Sequence, residues 1–498
     1  MGCLDYIIIN YRWVFVCIFL LPVSLFYNIW FYLRNWVVFK LSSAPNQHKN
    51  KVEYVQRQIL KWNIDGRRSK MCTARPGWQT ISFRQPAYKK TSTKIEVNLV
   101  DILNVDVQKK VVIVEPLVSM GQLSATLSPL GWTIPVLPEI DDLTVGGIVM
   151  GTGIESSSHI YGLFQHICLS YELVLADGTI TNCSPNENAE LFYSVPWSYG
   201  TLGILTAVEI QMIPAKNYVE LIYEPVWGID NIVTRFNEVS RDKTNEFVEV
   251  IMYSDNEAVV MTGTQTDHLG STKLNSIGRW YKPWFYKYVQ SKLKKIIITK
   301  ECIPLRDYYH RHTRSIFWEL QDIIPFGNNI IFRFLFGWLI PPKISLLKLT
   351  QTETIKKLYE EHHVIQDMLV PADKLEESLR FFKDKLQLYP IWLCPFILPT
   401  NPGMLNSRSD RDEKLYVDIG IYGSPKVETF HSRETTREIE KHVITVNGFQ
   451  MLYADTYMTR EEFRTMFDHS LYDDLRKKLR CEDAFPEVYD KISKQARI

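Results

Sequence analysis

Hydrophobic and polar positions change period several times along the chain. Residues 13–33 contain no charge, and Arg12 and Arg34 bound the run. At ~1.5 Å per residue, about 21 helical residues reach about 31 Å, matching a hydrocarbon core of ~30 Å. The spacing of Val52, Val55, Ile59 and Leu60 predicts a helix over 46–61 that ends at Asp65-Gly66. The period then shortens to two. Residues 95–99, 101–107 and 110–116 alternate between turn formers and predict strands. Met120, Leu123, Leu127 and Leu130 predict a short helix, and 131–138 an extended lead. Residues 171–180 predict a strand and turn with Asp177-Gly178 at the corner. Residues 207–213 predict a strand closed by Pro214.

Two later stretches are apolar without a clean period. Residues 323–347 are broken by Pro325, Gly327, Pro341 and Pro342 and carry Arg333 and Lys343, too many interruptions for a second membrane span. They fit a pocket wall, an in-plane membrane contact or ordinary core. Residues 279–288 interleave aromatic rings with cations, as interfacial belts and amphipathic surface helices both do.

The flanks of the first apolar run decide its type. A cleaved signal peptide is a poor match, because the run is long, only Arg12 offsets Asp5 before it, and no small-x-small site follows. Pro22 kinks a span without forbidding it. Arg34, Lys40, Lys49 and Lys51 crowd the C-terminal flank, so the positive-inside rule puts the body in the cytosol. The expectation is a single N-terminal signal anchor.

Composition removes several classes. A length of 498 residues allows two or three domains. With 46% hydrophobic residues and a formal charge of +1, the chain is globular and lacks the basic surplus of a nucleic-acid binder. Aromatic residues, at 13%, favour a large apolar ligand or a membrane. Eight scattered cysteines with no C-x-x-C pair suggest neither a zinc site nor a disulfide framework, and reduced thiols in a cytosolic body follow.

Residues 143–159 concentrate the unusual chemistry. Gly146, Gly147, Gly151 and Gly153 lie within eight positions, flanked by Thr144, Thr152 and Ser156 to Ser158. Glycine reaches positive φ cheaply and lets another group lie against the backbone, and neighbouring hydroxyl and N–H groups cradle phosphates or flat polar rings. A glycine-rich turn without a ligand is the plainer alternative. Gly151-Thr-Gly153-Ile-Glu-Ser156 also mimics a dinucleotide fingerprint, with Glu172 about 20 residues on. Residues 154–159 are poor helix-opening material, which argues against a doubly wound fold.

The order V-x-V-E-P (112–116), T-V-G-G (144–147), G-x-G (151–153), E-L-V-L-A-D-G (172–178) and G-T-L-G-I-L-T (200–206) resembles the FAD domain of the vanillyl-alcohol-oxidase and p-cresol-methylhydroxylase type. The likeness covers roughly 39–215. It implies an α+β fold in which flavin and diphosphate lie along the backbone between two subdomains. It assigns the contacts to Thr144, Val145, Gly146, Gly147, Ile148, Val149, Met150, Gly151, Thr152, Gly153, Ile154, Glu155 and Ser156, with 200–206 near the adenine. The other phosphate loop of that type is matched by 74–78, with fewer glycines than usual and no histidine for covalent attachment, so non-covalent FAD is implied.

Residues 12–17, 36–45, 309–327 and 390–399 are similar to the Δ24-sterol reductases, called diminuto in plants. That likeness runs over nearly the whole chain. It implies an anchor over 1–38, an FAD domain over 39–215, an α+β substrate cap over 216–450 and a C-terminal return over 451–498. It also implies a sterol substrate, NADPH as reductant, and the endoplasmic reticulum membrane with the Golgi membrane as a second location. Association with other sterol-pathway enzymes belongs to the same expectation.

An isolated side-chain alkene cannot take hydride as an enone does. Protonation at C24 puts positive charge on tertiary C25, which then accepts hydride. The acid has to be a buried carboxyl, a tyrosine or a relayed water. Glu319, Asp322, Tyr453 and Asp455 lie in the matching motifs and are the candidates; nothing in the sequence ranks them. His310 and His312 lack a third metal ligand at a telling spacing, and His362-His363 is likewise read as structural. Two other functions stay open at this point: oxidation or dehydrogenation of another lipid by FAD, and a membrane-tethered, non-catalytic flavin fold.

Overall fold

In the computed structural model, residues 11–76, 79, 87–270, 272–341, 343–348, 353–407, 413–428 and 430–494 are described. The first apolar run forms one helix, Tyr11–Lys40, with a π-helical turn at Val16–Leu20. One stripe of it is held on the body. Arg12 donates to the Leu347 carbonyl (3.3 Å), Ser24 accepts from the Lys343 N–H (2.9 Å), and Arg34 pairs with Asp101. Val16 and Leu21 are fully buried there, whereas Phe19, Phe26 and Trp30 on the other side are exposed. The next helix, Ala44–Ile64, presses Val52, Val55 and Ile59 inward, and its Lys51 bridges Asp101 (2.7 Å) and Glu115 (2.8 Å).

Two antiparallel sheets carry the fold. The smaller runs Ile102–Asp106, Val111–Val114, Ile204–Gln211, Cys168–Val174, Ile180–Cys183 in spatial order. The larger has eight strands: Thr299–Pro304, Tyr218–Trp227, Glu257–Thr266, Phe247–Met252, Ile391–Pro399, Glu413–Gly423, Val364–Pro371 and Phe449–Gln450. Antiparallel pairing throughout both excludes the doubly wound arrangement that the glycine spacing imitated. Val248, Val250 and Met252 point to one face of the larger sheet and Phe247, Glu249 and Ile251 to the other, and all six are buried, so both faces are covered.

Several sequence expectations need adjusting. Of 95–99 only Ile95 is in a strand, Thr93–Ile95; Leu99 instead accepts from Leu117 N–H (2.8 Å) beside the sheet edge. The glycine stretch opens as a helix, Val145–Gly151, because Val145, Ile148 and Val149 recur at helical spacing and all are buried. Gly146 lets that helix close on Pro116: a Cβ there would stand 2.6 Å from the Pro116 Cβ. Positive φ falls on Thr152 (113°) and on none of the four glycines, so their shared use is close approach. Over 279–288 the helix that forms is Phe285–Gln290, with Phe285, Tyr286 and Val289 buried. Helix Ile330–Phe336 buries none of its residues, which rules out ordinary core there.

The two sheets meet at Arg311. Its guanidinium donates to Glu155 (2.9 Å) at the end of the glycine stretch and to Glu249 (2.7 and 3.0 Å) on the larger sheet. All three side chains are fully buried. Val248 N–H to the Ser156 carbonyl (2.8 Å) and Tyr308 hydroxyl to Ser156 (3.0 Å) flank the pair. Burial alone would raise Glu249, yet Arg311 and His312 hold it well below the usual carboxylate range. Arg311→Met strands two buried carboxylates and is expected to remove about 3–5 kcal/mol of stability. Chemical denaturation at neutral pH measures this, and a loss under about 1 kcal/mol would show that the pair does not hold the sheets together.

Candidate flavin and substrate site

The C-terminal end of helix Val145–Gly151 faces a loop with two strained residues, Trp197 (φ 66°) and Tyr199 (φ 52°). Gly200 N–H donates to the Met150 sulfur (3.2 Å), and a Cβ on Gly151 would meet the Tyr199 hydroxyl at 2.9 Å. Gly153 is tighter still, with Ile148 at 2.3 Å and Pro138 at 2.9 Å from that hypothetical Cβ. Glu155 and Ser156, at the far end, are engaged with Arg311 and Tyr308 and join the domains.

Cations gather beside this loop. Lys491, from the C-terminal return, donates to the Tyr199 carbonyl and sits over the Tyr88 ring at 5.4 Å. Lys89 donates to the carbonyls of Thr73 (3.0 Å) and Arg75. Burial, and then the neighbouring Lys89, lowers Lys491 to about 8; burial also lowers Lys89 and Arg75. Among the described residues no carboxylate pairs with Lys89 or Lys491. Partly buried ammonium groups with carbonyl partners, mutually repelling, are a site one anion short. A diphosphate supplies that anion, so the donor set fits FAD. Arg75 belongs to the second phosphate loop expected over 74–78, of which Gly77 and Trp78 lie outside the described residues.

Acids collect at the opposite end, where the larger sheet faces the glycine stretch. Asp418, at the centre of strand Glu413–Gly423, is fully buried, and neither of its oxygens has a hydrogen-bond partner among the described residues. Asp367, on the neighbouring strand, accepts from the hydroxyls of Tyr422 (2.5 Å) and Tyr453 (2.6 Å). Burial raises Asp367 to about 6. Asp418 is raised well above the ordinary range by burial and by Asp367 and Glu139; burial and Glu155 do the same to Glu139.

The four acid candidates fall in three places. Glu319 pairs with His363 (2.8 Å), and burial raises Asp322 nearby. Tyr453 is on Asp367, and Asp455 pairs with Lys494 (3.2 Å). His310 bonds Ser124 (2.7 Å) and Asp141, and His312 bonds Glu249 (3.2 Å). Asp322 lines a cleft of about 1350 Å³ whose walls also include Arg12 and Trp13 of the first helix, Tyr359 and Tyr422. Sequence reasoning missed Asp367, Asp418, Glu139, Lys89 and Lys491. Asp418 had a signal, a lone acid between Val417 and Ile419 in an apolar strand; Lys491 had none.

A family model described as the FAD binding domain matches residues 67–184. Together with the cradle it defines the class: a flavoprotein with an FAD domain of the vanillyl-alcohol-oxidase and p-cresol-methylhydroxylase type. The chain is 61% identical over 494 residues to the Delta(24)-sterol reductase of Homo sapiens, covering 99% of this chain and 96% of the relative. The Delta(24)-sterol reductase homolog of Caenorhabditis elegans is 48% identical over 509 residues (99% and 97%), and the Delta(24)-sterol reductase of Pisum sativum 39% over 528 (98% and 92%). The chain belongs to the Delta(24)-sterol reductase family.

The cationic end gives a direct test. Lys491→Gln removes one charge-assisted contact and is expected to weaken FAD binding about tenfold to a hundredfold. Because Lys491 of the FAD-free protein titrates near 8, FAD affinity is expected to hold below that pH and to fall above it, where the ammonium is lost. Flavin absorbance per mole of chain after gel filtration reads both effects. A variant that retains FAD like the parent places the diphosphate elsewhere.

Proposed function

We propose that the chain reduces the C24–C25 double bond of a sterol side chain, with FAD as its non-covalent redox group and NADPH as the source of electrons. The observation that carries this reading is identity of 61% over 99% of the chain to Delta(24)-sterol reductases. Bound FAD supplies hydride transfer. The chain's own residues do the rest. Lys89, Lys491 and Arg75 hold the diphosphate, and Gly151 leaves room at the Tyr199 loop. The apolar cap keeps water from the alkene, and a buried acid protonates it.

The sterol enters, on this reading, through the cleft between the first helix and the cap, because Trp13 of the helix and Tyr422 of the larger sheet both line it. The N-terminal helix attaches the protein to the endoplasmic reticulum membrane, with the Golgi membrane as a second location, and other sterol-pathway enzymes are its neighbours. As a single-pass anchor it has to release Arg12 from Leu347; docked, it offers the bilayer its exposed face.

Purified full-length protein with FAD, NADPH and a Δ24-sterol is expected to yield the saturated side chain with one NADPH consumed per double bond. Oxygen uptake without NADPH would indicate an oxidase, and sterol binding without turnover a scaffold. Flavin should leave the chain on mild acid or denaturant, since covalent attachment has no matching histidine. In sealed microsomes, protease added outside is expected to digest the body beyond Lys40. A large protected fragment puts the body on the other side.

A further inference from the structure

We propose that the Asp418 carboxyl delivers the proton to C24 of the sterol, and that Asp367, held by Tyr422 and Tyr453, is its positioning neighbour. The proposal rests on the sterol-reductase reading above and adds the acid that reading requires.

The geometry begins with register. Asp418 lies opposite Leu369 on one side and Cys394 on the other, and Asp367 lies opposite Gly420. Paired positions share a face, and side chains two residues apart along a strand share it too. Asp418, Gly420, Tyr422, Asp367 and Cys394 therefore point to the same side. A Cβ on Gly420 would meet the Tyr422 hydroxyl at 2.6 Å and Asp367 Oδ1 at 3.0 Å, so glycine there makes room for the Tyr422–Asp367 bond. Glu139 approaches this face from the other domain. It follows Pro138, whose ring abuts Gly153 of the glycine stretch. Asp418 thus stands where the cap sheet faces the expected flavin segment.

A fully buried carboxyl whose two oxygens have no partner among the described residues is costly, and packing alone does not account for it. The groups facing it are Asp367, Glu139, Cys394, Tyr422 and Tyr453, and none is a cation. Burial and these acidic neighbours raise its pKa, the direction that protonation of an alkene requires. Three of the four candidates from the sequence are less suited: Asp455 and Glu319 pair with Lys494 and His363, and the Tyr453 hydroxyl is committed to Asp367.

The step balances. The Asp418 O–H bond breaks, its proton and the alkene π pair form C24–H, and C25 becomes cationic. Hydride from the reduced cofactor forms C25–H, and NADPH has supplied the two electrons. Asp418 is left as a carboxylate and recovers a proton from water.

The test uses the FAD-loaded full chain. Asp418→Asn is expected to retain FAD and its bleaching by NADPH, to bind sterol within about threefold of the parent, and to lose about 10²–10⁴-fold in sterol-dependent flavin reoxidation. Asp367→Asn removes the nearby negative charge, so Asp418 ionises at lower pH and the alkaline limb of the kcat profile moves down. Reoxidation at the parental rate in Asp418→Asn overturns the assignment, as does an equal loss in Glu139→Gln with Asp418→Asn unaffected. If Asp418→Asn does not fold, an unmoved alkaline limb in Asp367→Asn overturns it instead. A parent protein that reduces no Δ24-sterol removes the functional reading and is told apart by that control.

Discussion

The structure depends on one guanidinium shared by two domains. Arg311 donates to Glu155, which ends the glycine stretch, and to Glu249, which sits inside the larger sheet. Buried ion pairs are poor sources of net stability but severe penalties when incomplete. That asymmetry makes Arg311 a registration device: the glycine stretch and the larger sheet have one low-energy mutual position. Trp392 Nε1 (2.8 Å) and His312 complete Glu249, so its remaining lone pairs are also spent. The Phe317 ring stacks on His312 at 4.4 Å and meets Trp392 and Tyr422, extending the same constraint to the strand that carries Asp418.

Charge accounting then explains the acid end. Arg311 neutralises no more than one of the two glutamates it bonds, and burial lowers His312. Glu139, Asp367 and Asp418 enter a region whose cation is already committed. They cannot all ionise at low dielectric. Two hydroxyl donors favour the charged form of Asp367, whereas burial and their acidic neighbours push Asp418 and Glu139 well above the ordinary carboxylate range. At the other end Lys89, Lys491 and Arg75 are in excess. An elongated ligand with a diphosphate and an uncharged reacting end matches that polarity along its length.

Much of this was legible in the sequence where one local rule dominated. The helix over Val52, Val55 and Ile59 and the Asp177-Gly178 corner follow from period and turn chemistry, whereas the strand expected over 207–213 runs Ile204–Gln211 and Pro214 pairs with Trp132 in a separate short strand. The helix inside the glycine stretch was not legible, since glycine's poor propensity masks the spacing of Val145, Ile148 and Val149; packing against Pro116 overrides it. Lys491 reaches the Tyr199 carbonyl from 292 residues away, a closure that no window of sequence contains. Asp418 was readable in principle, because a lone acid in a buried strand contradicts its surroundings and such contradictions mark sites.

A sterol has almost no presence in water, so a reductase for it needs a path from lipid to acid without an aqueous gap. The first helix leaves Phe19, Phe26 and Trp30 outward, and Ile330, Ile331, Phe334 and Leu335 of the cap are exposed as well. Large apolar side chains exposed in this number fit the interfacial zone of a bilayer. The edge-on contact of Trp13 with Phe326 (5.1 Å) joins the helix to the segment that leads into Ile330–Phe336. Trp13 and Tyr422 line the same cleft, and Tyr422 donates to Asp367. One run of side-chain contacts therefore joins the exposed apolar helix to the acid pair, so the same helix that is long and apolar enough to cross a membrane also lines the cleft.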